Sequence, residues 1–406
     1  MYIKQITPNE FEKFADNHPY HNFHQTLNYA LLKVEEGYEY EFIGLFDEEE
    51  LKAASLVLGK KINGKAYGYI PDSFLIDYKD KDLLKTFTKE LVDYYKKQGL
   101  VFIKINPRVV IGTLDKKDGH SIPNEMSFLP DYLQTIGYKK LKDNMYFESR
   151  LPRFNAIIDL DFYDINSISK NTRNKARKAY RKGVVINKAD YNDVSFLTKV
   201  TGNTVNNNKF HFPDYYSIFS KNDMVDYYTA EIDYKEYLKN AQESYDYELN
   251  YNKMLNNKVI NNPSKRNVNN KMNSDAALEA YHADILKANG LVNTQSGIIA
   301  GCMVIKYKDT VTLLVNGYDK QFKDFVPNYL MLHSIINNYR DDYKYFDLNG
   351  IVGDFNENKY SGLNRFKIGF NPTLVEYVGE YDLIINKLEY DILNKKGLLA
   401  EEFNKE

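Results

Sequence analysis

Two copies of one α/β unit, with a helical hairpin set into the second, is the fold this sequence predicts; its class is α/β in the α+β sense. Three observations predict it. A strand meander followed by an amphipathic helix and a further strand occurs twice. Matching positions in the two copies are similarly spaced, with 48 residues from Ala54 to Phe102 and 46 from Ala300 to Phe346. Between the copies, two long stretches of helical periodicity flank Pro263. The chain has 406 residues, room for two or three domains at about 100–200 residues each.

In the first copy, EFIGLFD, Lys52–Leu58 and Ala66–Ile70 are alternating or apolar stretches broken by Gly-rich or charged turns, the pattern of a strand meander. Asp80–Gln98 places Leu83, Leu84, Phe87, Leu91, Val92 and Tyr95 on one helical face. Gly99 ends that helix, and Val101–Pro107 (VFIKINP) reads as a buried strand. In the second copy Ile298–Tyr307 and Val311–Gly317 pair as strands, Pro327–Arg340 is a helix with Pro at its start, and Tyr343–Leu348 supplies the strand after it. Tyr234–Asn257 carries Leu238, Ala241, Tyr245, Leu249, Asn252 and Leu255 at three- and four-residue spacing, and Ser274–Ala288 repeats this with Leu278, Tyr281, Ile285 and Ala288. NNPSKRNVNN around Pro263 breaks the periodicity, so the two stretches form an antiparallel hairpin projecting from the second domain.

Composition narrows the class further. The lone Cys302 fits a reducing compartment and removes a multi-cysteine zinc site. No run of about 18 apolar residues occurs, and MYIKQITPNEFEKF lacks a signal-peptide layout, so a soluble cytoplasmic protein is expected. HExxH, GxSxG, a P-loop and a helix-opening GxGxxG are all missing, and His21 and His24 lie close together without a ligand pattern. The lack of a triad leaves acyl transfer open, because an activated ester needs orientation and oxyanion stabilisation more than a protein nucleophile.

The net charge of −2 hides local clusters. Lys170–Lys182 holds seven basic residues in thirteen and no acid; as a helix it presents Arg173, Arg177 and Arg181 in one row with Lys178 beside them, and turns Ala176, Ala179 and Tyr180 more inward. Such a face suits phosphates, in nucleic acid or in a pyrophosphate-linked substrate. Lys253–Lys271 holds five basic residues and no acid, a positive hairpin tip suited to a polyanion. In Gly362–Phe370 (GLNRFKIGF), Lys367 flanked by Phe366 and Ile368 is the candidate oxyanion stabiliser, since a cation acts strongly in a partly dry site. An alternating strand with an outward lysine explains the same residues.

The stretches HQTLNYALLK, IPDSFLIDYKDKDLL, IKINPRVVI, TRNKARKAYRKGVVI, FKDFVPNYLMLHSI, FDLNGIVGDF, GLNRFKIGF and EYVGEYD, in this order and spacing, resemble the FemABX peptidoglycan-bridge aminoacyltransferases over nearly the whole chain. The resemblance implies two domains similar to GCN5-related N-acetyltransferases (GNAT-like). We divide them as 1–152, completed by residues 380–406, and 153–379, with the hairpin arm at 234–290. It also implies a tRNA-associated arm, making Lys258, Lys265 and Arg266 the expected contacts, and a lysine at Lys33 that contacts the precursor's phosphates. Lys367 of the Phe366–Lys367 pair would stabilise the transition state, and Arg173, Arg177 and Lys178 would meet phosphate or tRNA. Departures from the family pattern are Tyr29 at a usual tryptophan position and Asn106 where relatives often carry Asp. Thr204, Asn207 and Phe210 show a lost arginine that Lys209 would replace, and Leu313 and Val315 stand at positions where tyrosines are common.

The reaction so implied is attack of a primary amine, on a peptidoglycan stem peptide or an existing bridge residue, upon the ester of an aminoacyl-tRNA carrying Gly, Ala or Ser. The acceptor is expected to be lipid II or a related lipid-linked precursor, met transiently at the inner membrane face; a soluble UDP-linked precursor and a non-catalytic binding module are the alternatives. No metal or organic cofactor and no DNA is implied.

Overall fold

The computed structural model describes residues 1–141, 144–201 and 211–403 and builds them into two mixed sheets with helices against them. The seven-stranded sheet runs Tyr2–Ile6, Glu39–Asp47, Glu50–Ile62, Lys65–Ile70, Phe102–Ile105, Tyr381–Ile384, Tyr138–Lys140. The nine-stranded sheet runs Val184–Ala189, Val225–Ile232, Ala300–Tyr307, Thr310–Tyr318, Tyr345–Ile351, Phe154–Asp159, Thr373–Tyr377, Val110–Leu114, Ser121–Pro123.

The internal repeat has a physical cause in this topology. In each sheet an antiparallel meander is followed by a strand parallel to its last member, Gly68 opposite Ile103 in one and Val311 opposite Phe346 in the other. A parallel neighbour requires a crossover of a dozen or more residues, which the helices Lys81–Lys97 and Pro327–Tyr339 provide. Asp80 caps the first by accepting from the Leu83 amide, and Leu84, Phe87, Leu91 and Tyr95 bury its apolar face. The second starts on Pro327, whose missing amide hydrogen costs nothing at a first helical position.

Two segments cross between the sheets. Tyr381–Ile384 lies inside the first sheet, between Phe102–Ile105 and Tyr138–Lys140. Val110–Leu114 and Ser121–Pro123, within the 1–152 division, pair into the second. The first exchange is locked by Lys104, 1% exposed, whose Nζ is 2.9 Å from Asp382 and 3.9 Å from Glu380, with the Phe403 ring centroid 4.3 Å away. The halves also share a core. Val194, Leu197, Phe212, Tyr215, Phe219 and Met303 join one apolar cluster with Phe23, Tyr29, Leu32 and Phe42, and Asn28 Nδ2 donates to the Ile218 carbonyl at 3.0 Å.

The arm is a pair of long helices, Tyr234–Asn261 and Lys265–Leu291. The break around Pro263 is shorter than the sequence predicts, because Ser264 caps the second helix by accepting from the Asn267 amide while Asn267 Nδ2 donates to the Asn262 carbonyl at 2.8 Å. Leu255, Ser274 and Ala288 are buried along the hairpin, with Asn252 Nδ2 donating to Asp275 Oδ1 at 2.8 Å. No described helix is long and apolar enough to cross a membrane.

Candidate active site

Strand Tyr345–Ile351 slips register between Asp347 and Gly350 as it pairs with Phe154–Asp159. Such irregularities re-aim side chains and release backbone groups from the ladder. Asn349 takes φ +65° there, and its amide donates to Asp347 Oδ1 at 2.7 Å. The position after it must be glycine, because a Cβ on Gly350 would lie 2.6 Å from Pro152 Cγ. The Gly350 carbonyl accepts from Lys367 Nζ at 2.6 Å.

Lys367 arrives on a helix, Ser361–Ile368, and not on the alternating strand that its neighbours also fit. The helical period places Asn364 and Lys367 one turn apart, and both are buried. Asn364 fixes the helix by donating to the Val352 carbonyl at 2.8 Å and accepting from the Val352 amide at 3.0 Å. The helix end abuts the basic helix, whose N-cap Ser169 donates its amide to the Gly369 carbonyl at 2.9 Å.

Lys367 is 7% exposed. Burial pulls its ammonium down from 10.5 to about 8, against the opposing pull of Asp347. Asp347 is fully buried and accepts from Asn155 Nδ2 at 3.1 Å, from Asn349 and from the Arg108 guanidinium. Arg108 lies over the Tyr377 ring at 5.0 Å, and its amide donates to the Asp72 carbonyl at 3.2 Å. Burial opposes the charge on Arg108, but Tyr377, Asp347 and Asp72 outweigh it and raise its pKa. Here a lysine with one donor committed to a carbonyl has two left for a developing negative charge in a nearly dry setting.

The FemAB family model matches residues 6–395. The chain belongs to the FemAB family. Aminoacyltransferase FemA of Staphylococcus epidermidis is 25% identical over 410 residues, covering 97% of this chain and 98% of that protein. Aminoacyltransferase FemA of Staphylococcus aureus is 26% identical over 415 residues, covering 96% and 97%. The crystal structure of FemX has the same fold, with a TM-score of 0.71 at 20% identity over 97% of this chain and 100% of that one. This FemAB-family chain is accordingly an aminoacyltransferase built on a two-sheet α/β fold.

The other residues expected to act in this FemAB member are dispersed. Phe366 packs edge-on against Tyr329, ring centroids 5.0 Å apart, and against Phe370, in the apolar cluster of the second sheet. Lys33 Nζ is 2.8 Å from both Glu36 carboxylate oxygens and 5.1 Å from the Tyr29 ring, and burial lowers its pKa. Any phosphate meeting Lys33 would have to compete with Glu36. Arg173 is turned back on its own chain, donating to the Ile165 carbonyl at 3.2 Å and to Asn166. Arg177 is exposed, and Lys178 lines a cavity of about 330 Å³ where the basic helix meets the arm. Tyr180, expected to turn inward, is 61% exposed; the buried stripe of this helix is Thr172, Ala176 and Ala179. Lys258, Lys265 and Arg266 are exposed at the arm's turn. Leu313 is buried and Val315 half-buried, while Thr204, Asn207, Lys209 and Phe210 lie outside the described residues. The Asn106 side-chain carbonyl is buried without a hydrogen-bond partner among the described residues.

Sequence reasoning gave no role to Asp347, Arg108 or Asn155. Asp347 and Arg108 sit inside FDLNGIVGDF and IKINPRVVI, two of the stretches that carry the family likeness. A charge within an apolar run was the available signal, since a buried charge requires a partner.

A pH dependence follows from this geometry. If protonated Lys367 stabilises the oxyanion, kcat/KM falls about tenfold per pH unit as pH rises through about 8. A lysine at the ordinary 10.5 would give no such limb until far higher pH. Steady-state rates between pH 6.5 and 9.5 check this, and the limb should vanish in Lys367→Met.

Proposed function

We propose that this chain moves glycine, alanine or serine from aminoacyl-tRNA to the stem-peptide or bridge amine of a lipid-linked peptidoglycan precursor, working at the inner face of the plasma membrane. The observation that carries the proposal is the buried, carbonyl-bound Lys367 beside Asp347, in a chain of the FemAB family. The site residues Lys367 for the oxyanion, Lys33 for precursor phosphates and the basic helix for tRNA belong to this same reading.

Support for a polyanionic donor comes from the foot of the arm. Its cavity of about 330 Å³ brings Lys178, Arg181 and Lys182 of one helix against Asn240, Ser244, Tyr281 and Asp284 of the other two. Arg181 donates to the Tyr281 hydroxyl at 3.0 Å and Lys182 to Asp284 at 3.0 Å, so both are positioned before any ligand arrives. Asn240 Nδ2 is buried there without a hydrogen-bond partner among the described residues. Each tRNA phosphate contacted releases counterions, so affinity falls with salt. Lys178→Ala with Arg181→Ala should weaken tRNA binding and flatten the plot of log K against log salt by about 0.7–0.9 per lost contact. Filter binding between 50 and 200 mM salt measures it.

The deciding experiment supplies purified protein with labelled Gly-, Ala- and Ser-tRNA and, in parallel, lipid II, branched lipid II and the UDP-linked precursor. Incorporation into a lipid-linked acceptor is the expected result. Incorporation into the UDP-linked precursor alone replaces the lipid-linked acceptor with the soluble one. Folded protein that binds tRNA but incorporates nothing identifies a binding module.

A further inference from the structure

Peptide-bond formation from an amine and an ester must dispose of a proton, and Asn106 is no base. Where Lys170–Lys182 and the arm carry cations, the junction between the two halves carries something different: a histidine held by a buried carboxylate. His24 Nδ1 is 2.7 Å from Asp72 Oδ2, with side chains 13% and 4% exposed. A carboxylate only accepts, so the proton of a neutral imidazole sits on Nδ1 and the lone pair on Nε2. The ring is clamped by Phe23, 3.8 Å away, and by Tyr29 edge-on at 4.8 Å. Asp72 and Ser73 are both held at positive φ, +55° and +63°, a costly pair of backbone conformations for residues with a Cβ.

His24 opens onto a cavity of about 50 Å³ between the halves, lined by Asp72 and Arg108 from one and Tyr307, Thr310 and Thr312 from the other. The space is enough to admit at least one water-sized group, such as an incoming amine. The cavity adjoins the Lys367 cluster through two links. Arg108 pairs with Asp347, and Thr312 is the register partner of Asp347 on the neighbouring strand.

We propose that His24, oriented by Asp72, is the proton acceptor for the incoming amine, an inference that rests on the aminoacyl-transfer reading above. The neutral amine attacks the ester carbonyl; the C–N bond forms, the carbonyl oxygen takes the electron pair facing Lys367, and one amine proton passes to His24 Nε2. Collapse restores the carbonyl, breaks the ester C–O bond and returns that proton from Nε2 to the departing ribose oxygen. His24 is then neutral again, and no other reactant is consumed. Asp72 acts through His24 as a positioning residue.

The test compares wild type, His24→Gln, His24→Ala and Asp72→Asn in the labelled-transfer assay, with thermal unfolding confirming that each is folded. His24→Gln should lower kcat by about 10²-fold or more with KM little changed. Asp72→Asn should also lower kcat, since an amide no longer enforces the tautomer. Added imidazole should restore part of the activity of His24→Ala, a rescue that a purely structural role would not show. Wild-type kcat in folded His24→Gln, or a folded, inactive His24→Ala that imidazole does not rescue, overturns the proposal. If His24→Gln does not fold, the imidazole rescue and Asp72→Asn decide it. Wild type without any transfer overturns the aminoacyl-transfer reading and this proposal with it, whereas an active wild type matched by its variants overturns this proposal alone.

Discussion

Lys367→Met is expected to reduce kcat by about 10²–10³-fold, the usual effect of removing one oxyanion donor, while substrate binding stays near wild type. Methionine fills a similar volume without a charge or a donor. Asp347 keeps Arg108, Asn155 and the Asn349 amide, so its burial remains compensated. Burial already drives the Lys367 ammonium down to about 8, so the native fold works against this charge. Methionine at the position should therefore leave the melting temperature unchanged or raise it. Loss of turnover together with retained or gained stability is the signature of a residue kept for chemistry. An equal loss of kcat and of melting temperature would instead make Lys367 a structural tie to Gly350.

The opposite signature is expected at Lys104. Lys104→Met removes the cation from between Asp382 and Glu380, both nearly inaccessible to water. Stranding buried carboxylates by deleting their partner costs about 3–5 kcal/mol. Asp382 retains the Tyr390 hydroxyl at 2.7 Å, and Glu380 retains Ser149 and the Arg150 amide, which places the expectation at the lower end. Urea unfolding should show a lower midpoint, and Lys104→Met combined with Asp382→Asn should recover part of the loss. A midpoint equal to wild type would show that the pair contributes nothing to stability.

The fold was legible because its signals are periodic and local. The face of Lys81–Lys97, the proline opening Pro327–Tyr339 and the near-equal spacing of the copies all come from units that repeat their own chemistry. Lys367 was legible from its setting among apolar residues, but its helix was not. GLNRFKIGF is too short to separate a period of two from one of 3.6, and what decides is Asn364 gripping Val352, 12 positions away. The Asp347–Arg108 pair was hidden for a related reason: its members are 239 positions apart and meet through a strand that changes sheets. The family resemblance singles out Lys33, while Glu36, three positions on, holds it in an i,i+3 pair that the resemblance does not mention. A contact such as Arg108–Asp347 depends on tertiary placement, and no short window along the chain contains both partners.

The strand exchange bears on how the polypeptide is made. Translation proceeds at about 5–20 residues per second, so between emergence of Phe102–Ile105 and of Tyr381–Ile384, which lies against it, the growing chain spends on the order of tens of seconds. Throughout that interval the first sheet presents an unpaired interior edge, the kind of surface that recruits foreign strands. A chaperone that shields nascent edges, or slow early docking of the N-terminal half, would be most valuable during that wait, and an N-terminal fragment expressed alone would remain permanently in it.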